Sequence, residues 1–64
     1  MVMFDKDNIY ELRMALGLSA RALGELVGVT GNTVFRWEAG SKFPSRRHTI
    51  ELNKLLEESK KQPA

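Results

Sequence analysis

The sequence predicts an all-α fold, a compact four-helix bundle, on three observations. Apolar residues recur three and four apart in four separate stretches, the spacing of a helix that buries one face. No stretch alternates apolar and polar residues as a half-buried strand does. Gly17, Gly28 and Gly40 fall directly after three of the helical stretches, where a glycine commonly ends a helix.

The first helix is expected from about Lys6 to Leu16. Asp5, Asp7 or Asn8 can cap it, and Asn8 with Glu11 has the spacing of a capping box. Ile9, Leu12 and Leu16 form its buried stripe. Ser19 caps a second helix that runs to Val27, with Leu23 and Val27 on one face. The third is expected from Thr30 to Ala39. The Thr30 hydroxyl caps it, and Val34 and Trp37 share its inner face. Gly24 has no side chain, so the second and third helices can cross closely. Gly28 can take the left-handed conformation that turns the chain sharply between them.

Ser41 to Pro44 reads as a loop. Pro44 biases Phe43 toward an extended backbone, and Phe43 is expected to fold over the core edge. Ser45 then caps a fourth helix from Arg46 to about Ser59, on which His48, Leu52, Leu55, Leu56 and Ser59 follow helical spacing. Residues 60–64 are expected to fray. Leu12, Leu16, Leu18, Leu23, Leu26, Val27, Val29, Val34, Trp37, Ile50, Leu52, Leu55 and Leu56 are the predicted core.

With 64 residues the chain is read as one domain, residues 1–64, with the second and third helices at about 19–40. A chain of this size is marginal, burying only about 60% of the surface it exposes when unfolded. It has no cysteine, so neither disulfides nor thiolate metal sites can staple it. Its single histidine, His48, is read as a helix-surface residue rather than a ligand or base. No metal, no cofactor and no catalytic residue is expected, and the chain is not read as an enzyme. No apolar run approaches the roughly 18 residues of a membrane span. MVMF at the start is too short for a signal peptide and lacks a basic flank, so a cytoplasmic location is expected.

The net charge is only +2, but it is unevenly placed. Residues 1–35 carry a net −1 and residues 50–64 balance. Residues 36–49 carry Arg36, Lys42, Arg46 and Arg47 against Glu38 alone, a net +3. A clustered basic patch is the electrostatic footprint of nucleic-acid binding. Two helices joined by a short turn at a steep angle form a helix-turn-helix, whose second helix can enter the DNA major groove.

The residues LRMALGLSARALGELVGVTGNTVFRWEAGSKFP, from Leu12 to Pro44, resemble the lambda-repressor and Cro-like helix-turn-helix domains, the XRE family. The L-R-x-x-x-G-L-S opening, the L-x-x-L/V-G-V-T turn and the W-E-x-G-x-x-x-P ending carry the resemblance together. It implies a bundle of four or five helices that binds operator DNA, usually as a two-fold dimer. Family members commonly have a phosphate-touching glutamine where Ala20 stands, and often a base-reading amide where Gly31 stands. At the position of Gly24 they usually carry alanine. The resemblance also implies a partly buried ion pair between Arg13 and Glu38, joining the first and third helices. A guanidinium and a carboxylate can meet there through two parallel hydrogen bonds.

With Val34 and Trp37 inward, the opposite face of the third helix carries Gly31, Asn32, Phe35, Arg36 and Ala39. Asn32, Phe35 and Arg36 are the candidate base contacts. Asparagine pairs bidentately with adenine, arginine with guanine, and an exposed phenylalanine can lie on a thymine methyl. Thr30 and Thr33 at the helix start, with Lys42, Arg46 and Arg47, are the candidate phosphate contacts. Arg46 and Arg47 occupy the positive end of a helix, where cations are unfavourable, a local conflict that points to use. The expected function is sequence-specific binding of double-stranded DNA in transcription regulation. The alternative is a protein-interaction module, such as an antitoxin that neutralises a partner protein. Its mark would be an exposed apolar patch at Met1, Val2, Met3 and Phe4, or along Leu52 and Leu56.

Overall fold

Asp5 starts the first helix. Its carboxylate accepts hydrogen bonds from the backbone N–H groups of Asp7 and Asn8, both at 3.0 Å. The Asn8 side-chain oxygen accepts in return from the Asp5 N–H at 2.7 Å. This reciprocal capping box opens α1, Lys6–Leu16. The box is Asp5 with Asn8, not Asn8 with Glu11, because Asn8 already lies inside the first turn and reaches back to the cap. In this computed structural model, which describes residues 2–61, three helices follow: α2 (Ala20–Val27), α3 (Gly31–Ala39) and α4 (Arg46–Lys61). No strand occurs among the described residues. Lys60 and Lys61, expected to fray, continue α4, while residues 62–64 of the expected tail lie outside the described residues.

α2 and α3 begin at the hydroxyls that the sequence offers. Ser19 Oγ accepts from the Ala22 N–H at 3.0 Å, and Thr30 Oγ1 from the Thr33 N–H at 3.2 Å. Between the two helices Gly28 takes φ +84°, a left-handed conformation that a side chain would strain. The Val29 N–H then donates to the Gly24 carbonyl at 2.8 Å and closes the turn.

The core comprises Phe4, Ile9, Leu12, Ala20, Leu23, Val27, Val34, Trp37 and Leu52. Leu16, Leu18, Val29, Leu55 and Leu56 pack around it, partly buried. Burying each large apolar side chain contributes about 1.5–3 kcal/mol, so Trp37 and its neighbours dominate the stability of so small a molecule.

Two expected core residues, Leu26 and Ile50, lie outside it, and so does Phe43, expected over the core edge. Leu26 is 56% exposed, Ile50 38% and Phe43 65%. The buried stripe of α2 is Ala20, Leu23, Gly24 and Val27, and Leu26 stands about 100° round the axis from Val27. On α4 the stripe runs through Thr49 and Leu52, and Ile50 is turned about 100° away from Thr49. Phe43 edges a shallow groove lined by Asp5, Lys6, Ala39 and Gly40 rather than covering the core.

Phe4 enters the core through a long-range tie. The Asn53 side-chain amide accepts from the Val2 N–H at 2.9 Å and donates to the Val2 carbonyl at 3.0 Å. It also donates to the Thr49 carbonyl at 2.8 Å, one turn back on α4. Asn8 Nδ2 donates to the Met3 carbonyl at 2.9 Å. Held at these points, residues 2–4 strap α4 to the start of α1, with the Phe4 ring beneath.

Candidate nucleic-acid interface

The outer face of α3 is set by its inner one. Val34 and Trp37 are essentially inaccessible, and that fixes the rotation of the helix. Asn32, Phe35, Arg36 and Ala39 are then exposed, with Phe35 60% open to solvent. At the end of α3 the Gly40 N–H caps the helix on the carbonyls of Arg36 and Trp37. The Arg36 carbonyl also receives the N–H groups of Ser41 and Lys42, at 3.1 and 3.3 Å. Those bonds hold the backbone of Arg36 while its side chain stays exposed.

Thr30 and Thr33 come together at the start of α3, their hydroxyl oxygens 3.1 Å apart. One hydroxyl proton is spent on that contact, and the other can donate outward. Lys42, Arg46 and Arg47 are all exposed. Among the described residues, neither these three nor Arg36 is held in an ion pair. Their charges are therefore available to an external anion.

Glu38, the acid within that basic stretch, faces the other way. It meets Arg13 of α1 in a two-pronged contact, Nε to Oε2 at 2.6 Å and Nη2 to Oε1 at 3.1 Å. Arg13 Nη1 also donates to the Leu18 carbonyl at 3.1 Å, and its guanidinium lies 5.4 Å from the centre of the Tyr10 ring. The two side chains are only 15% and 12% exposed. The Glu38 hydrogen bond holds the Arg13 pKa above its ordinary value, against the opposing effect of burial. The pair fastens α3 to α1, and it leaves the charges of Arg36, Lys42, Arg46 and Arg47 without a free carboxylate among residues 36–49.

His48 is not the free surface residue that the sequence suggests. It is half-buried, with its ring centre 5.7 Å from that of Trp37 and Nδ1 3.0 Å from Ser45 Oγ. It therefore braces α3 against the start of α4.

Sequence spacing did not single out Arg21. Its backbone lies against the first residue of α3: a side chain on Gly31 would place its first carbon 3.1 Å from Arg21 Cα and 3.2 Å from Arg21 N. The signal for this close approach was Gly31 itself, a glycine opening a helix with no turn to make.

Among the described residues, no helix is long and apolar enough to cross a membrane. Residues 9–59 match the model of a protein family described as a helix-turn-helix domain. No curated protein and no solved structure matches the chain.

Proposed function

The chain belongs to the helix-turn-helix domain family, of the lambda-repressor type, and from that premise we propose that it binds double-stranded DNA sequence-specifically as a transcriptional regulator. In this reading α3 lies in the major groove. Asn32 and Arg36 read base edges, and Phe35 lies against a thymine methyl. Thr30, Thr33, Lys42, Arg46 and Arg47 hold phosphates. The observation that carries the reading is the exposed outer face of α3 with Arg36 on it, followed by Lys42, Arg46 and Arg47, all four without acid partners among the described residues. The mark of the protein-interaction alternative is met only in part: Val2 and Met3 are exposed, but Phe4 and Leu52 are buried.

Selection of binding sites from a random duplex pool tests the proposal directly. An enriched consensus is expected, and its absence would overturn sequence-specific binding. Affinity should also fall steeply with salt as counterions leave the duplex. About two to four phosphate contacts per subunit give a log–log slope of about −2 to −4, doubled for a dimer. A two-fold dimer on DNA would place its half-sites about 34 Å apart. Sedimentation with the selected duplex checks this, and one subunit per site would refute it.

The two kinds of contact should separate by mutation. Arg36→Ala is expected to cost about 1–3 kcal/mol on the selected site and to blur the preference at one base pair. Arg47→Ala should weaken binding to every sequence alike and reduce the salt slope by about 1. Competition titrations with single-base variants distinguish these results. Equal, sequence-blind losses for both would show that the reading face is assigned wrongly.

A further inference from the structure

We propose that Arg21, on α2, reads a base edge at the start of the recognition helix, in the place that Gly31 leaves empty. The inference rests on the DNA-binding reading above and extends it to a residue outside α3.

The geometry begins with Gly31. It is the first residue of α3, and it has no side chain to offer a base. A Cβ there would fall 3.1 Å from Arg21 Cα and 3.5 Å from Arg21 Cβ. The direction that a side chain at position 31 would take is thus closed by the Arg21 backbone, and the side chain rooted beside that point is that of Arg21. It is long, cationic and free to extend, with 86% of its side-chain surface exposed. Its ion-pair partner among the described residues is Glu25, one turn along α2 at 4.0 Å and itself 70% exposed. A contact that long between two solvated groups holds the guanidinium weakly. By contrast, Arg13 is committed to Glu38 and half-buried. Within the helix pair, Arg21 and Arg36 are the two basic side chains, one beside the first residue of α3 and the other in its last turn.

An arginine so placed matches guanine, whose O6 and N7 accept its two parallel N–H donors. Glu25 then acts as a competitor, because the guanidinium must leave it to reach DNA. The Arg21 side chain is 86% exposed, so its replacement tests recognition more than folding.

The experiment uses the intact protein and the duplex selected by the wild type. Arg21→Ala is expected to weaken binding about tenfold or more and to erase preference at one guanine-containing base pair, beside those assigned to Asn32 and Arg36. On a duplex altered at that pair, wild type and variant should bind alike. Arg21→Gln should move the preference at that pair from guanine to adenine and leave the rest of the consensus intact. Glu25→Gln should tighten binding to the selected duplex. A loss from Arg21→Ala that is equal on all duplexes, with a shallower salt slope, would overturn base reading in favour of a phosphate contact. Unchanged affinity and consensus would overturn any role for Arg21 in binding. A wild type that selects no consensus would instead defeat the underlying DNA-binding proposal, an outcome distinct from the other two.

Discussion

Arg13→Ala is expected to lower the melting temperature by about 15 °C, the largest effect of any single charge removal in the molecule. The reason is what the substitution leaves behind. Glu38 would keep its carboxylate, 12% exposed, without the two donors that now meet it. The Leu18 carbonyl would lose its donor as well. Stranding one member of a fully buried pair costs about 3–5 kcal/mol, and the residual exposure here reduces that to about 2–4 kcal/mol. A domain of this size has about 3–10 kcal/mol in all. Glu38→Ala should cost somewhat less, because Arg13 would retain the Leu18 carbonyl. The double substitution should cost clearly less than the two single losses added together, which is the signature of a coupled pair. Arg13→Lys should recover only part of the loss, since an ammonium cannot bridge both carboxylate oxygens and the carbonyl in one plane. Thermal melts of the four variants decide the matter. Silent single substitutions whose effects simply add would mean that the pair contributes nothing.

The second large effect is expected at Gly24, where the usual rule for helices reverses. At an exposed helix interior, replacing glycine by alanine stabilises by about 1 kcal/mol. Here a methyl group would stand 2.6 Å from the Val29 carbonyl oxygen and 3.0 Å from the Thr30 carbonyl carbon. Both are backbone atoms of the turn, and neither can swing aside as a flexible side chain would. The turn must open, and the bond from the Val29 N–H to the Gly24 carbonyl opens with it. Gly24→Ala is therefore expected to destabilise by about 1–3 kcal/mol, the range for overpacking a close contact. It should also weaken DNA binding in conditions where the variant remains folded, because α3 would be pushed away from α2. Melts and duplex titrations measure the two parts separately. A raised melting temperature would show that the helices do not approach this closely.

The helices were legible because their ends are written locally. Ser19, Thr30 and the glycines at 17, 28 and 40 each act within a few residues of themselves. The inner face of α3 was legible from Val34 and Trp37 alone, and the exposure of Asn32, Phe35 and Arg36 follows from it. Apolar character by itself did not place Leu26 or Ile50. Both lie about a quarter turn from a buried residue, and only the packing partner determines how wide the covered stripe is. Phe4 was missed because its burial depends on Asn53, far along the chain, and Ala20 because a methyl group gives no periodic signal. The meeting of Arg21 with Gly31 depends on how tightly two helices cross, which no spacing within either helix encodes.

The tie between Asn53 and Val2 also has a consequence for the order in which the molecule assembles. Its two ends are 51 residues apart in sequence. The entropy lost in closing a chain segment grows with its length, so this closure is costly until the helices between its ends are already in place. α2 and α3, by contrast, meet across a turn of three residues, and their contacts form at little entropic expense. Folding should therefore begin at the helix pair and finish when residues 2–4 settle onto α4. In the folded state the same hierarchy should run backwards: the strap is expected to open at the lowest free energy, and backbone amide protection should rise from Val2 toward the centre of α3. The segment proposed to meet DNA is then expected to form earliest and open last.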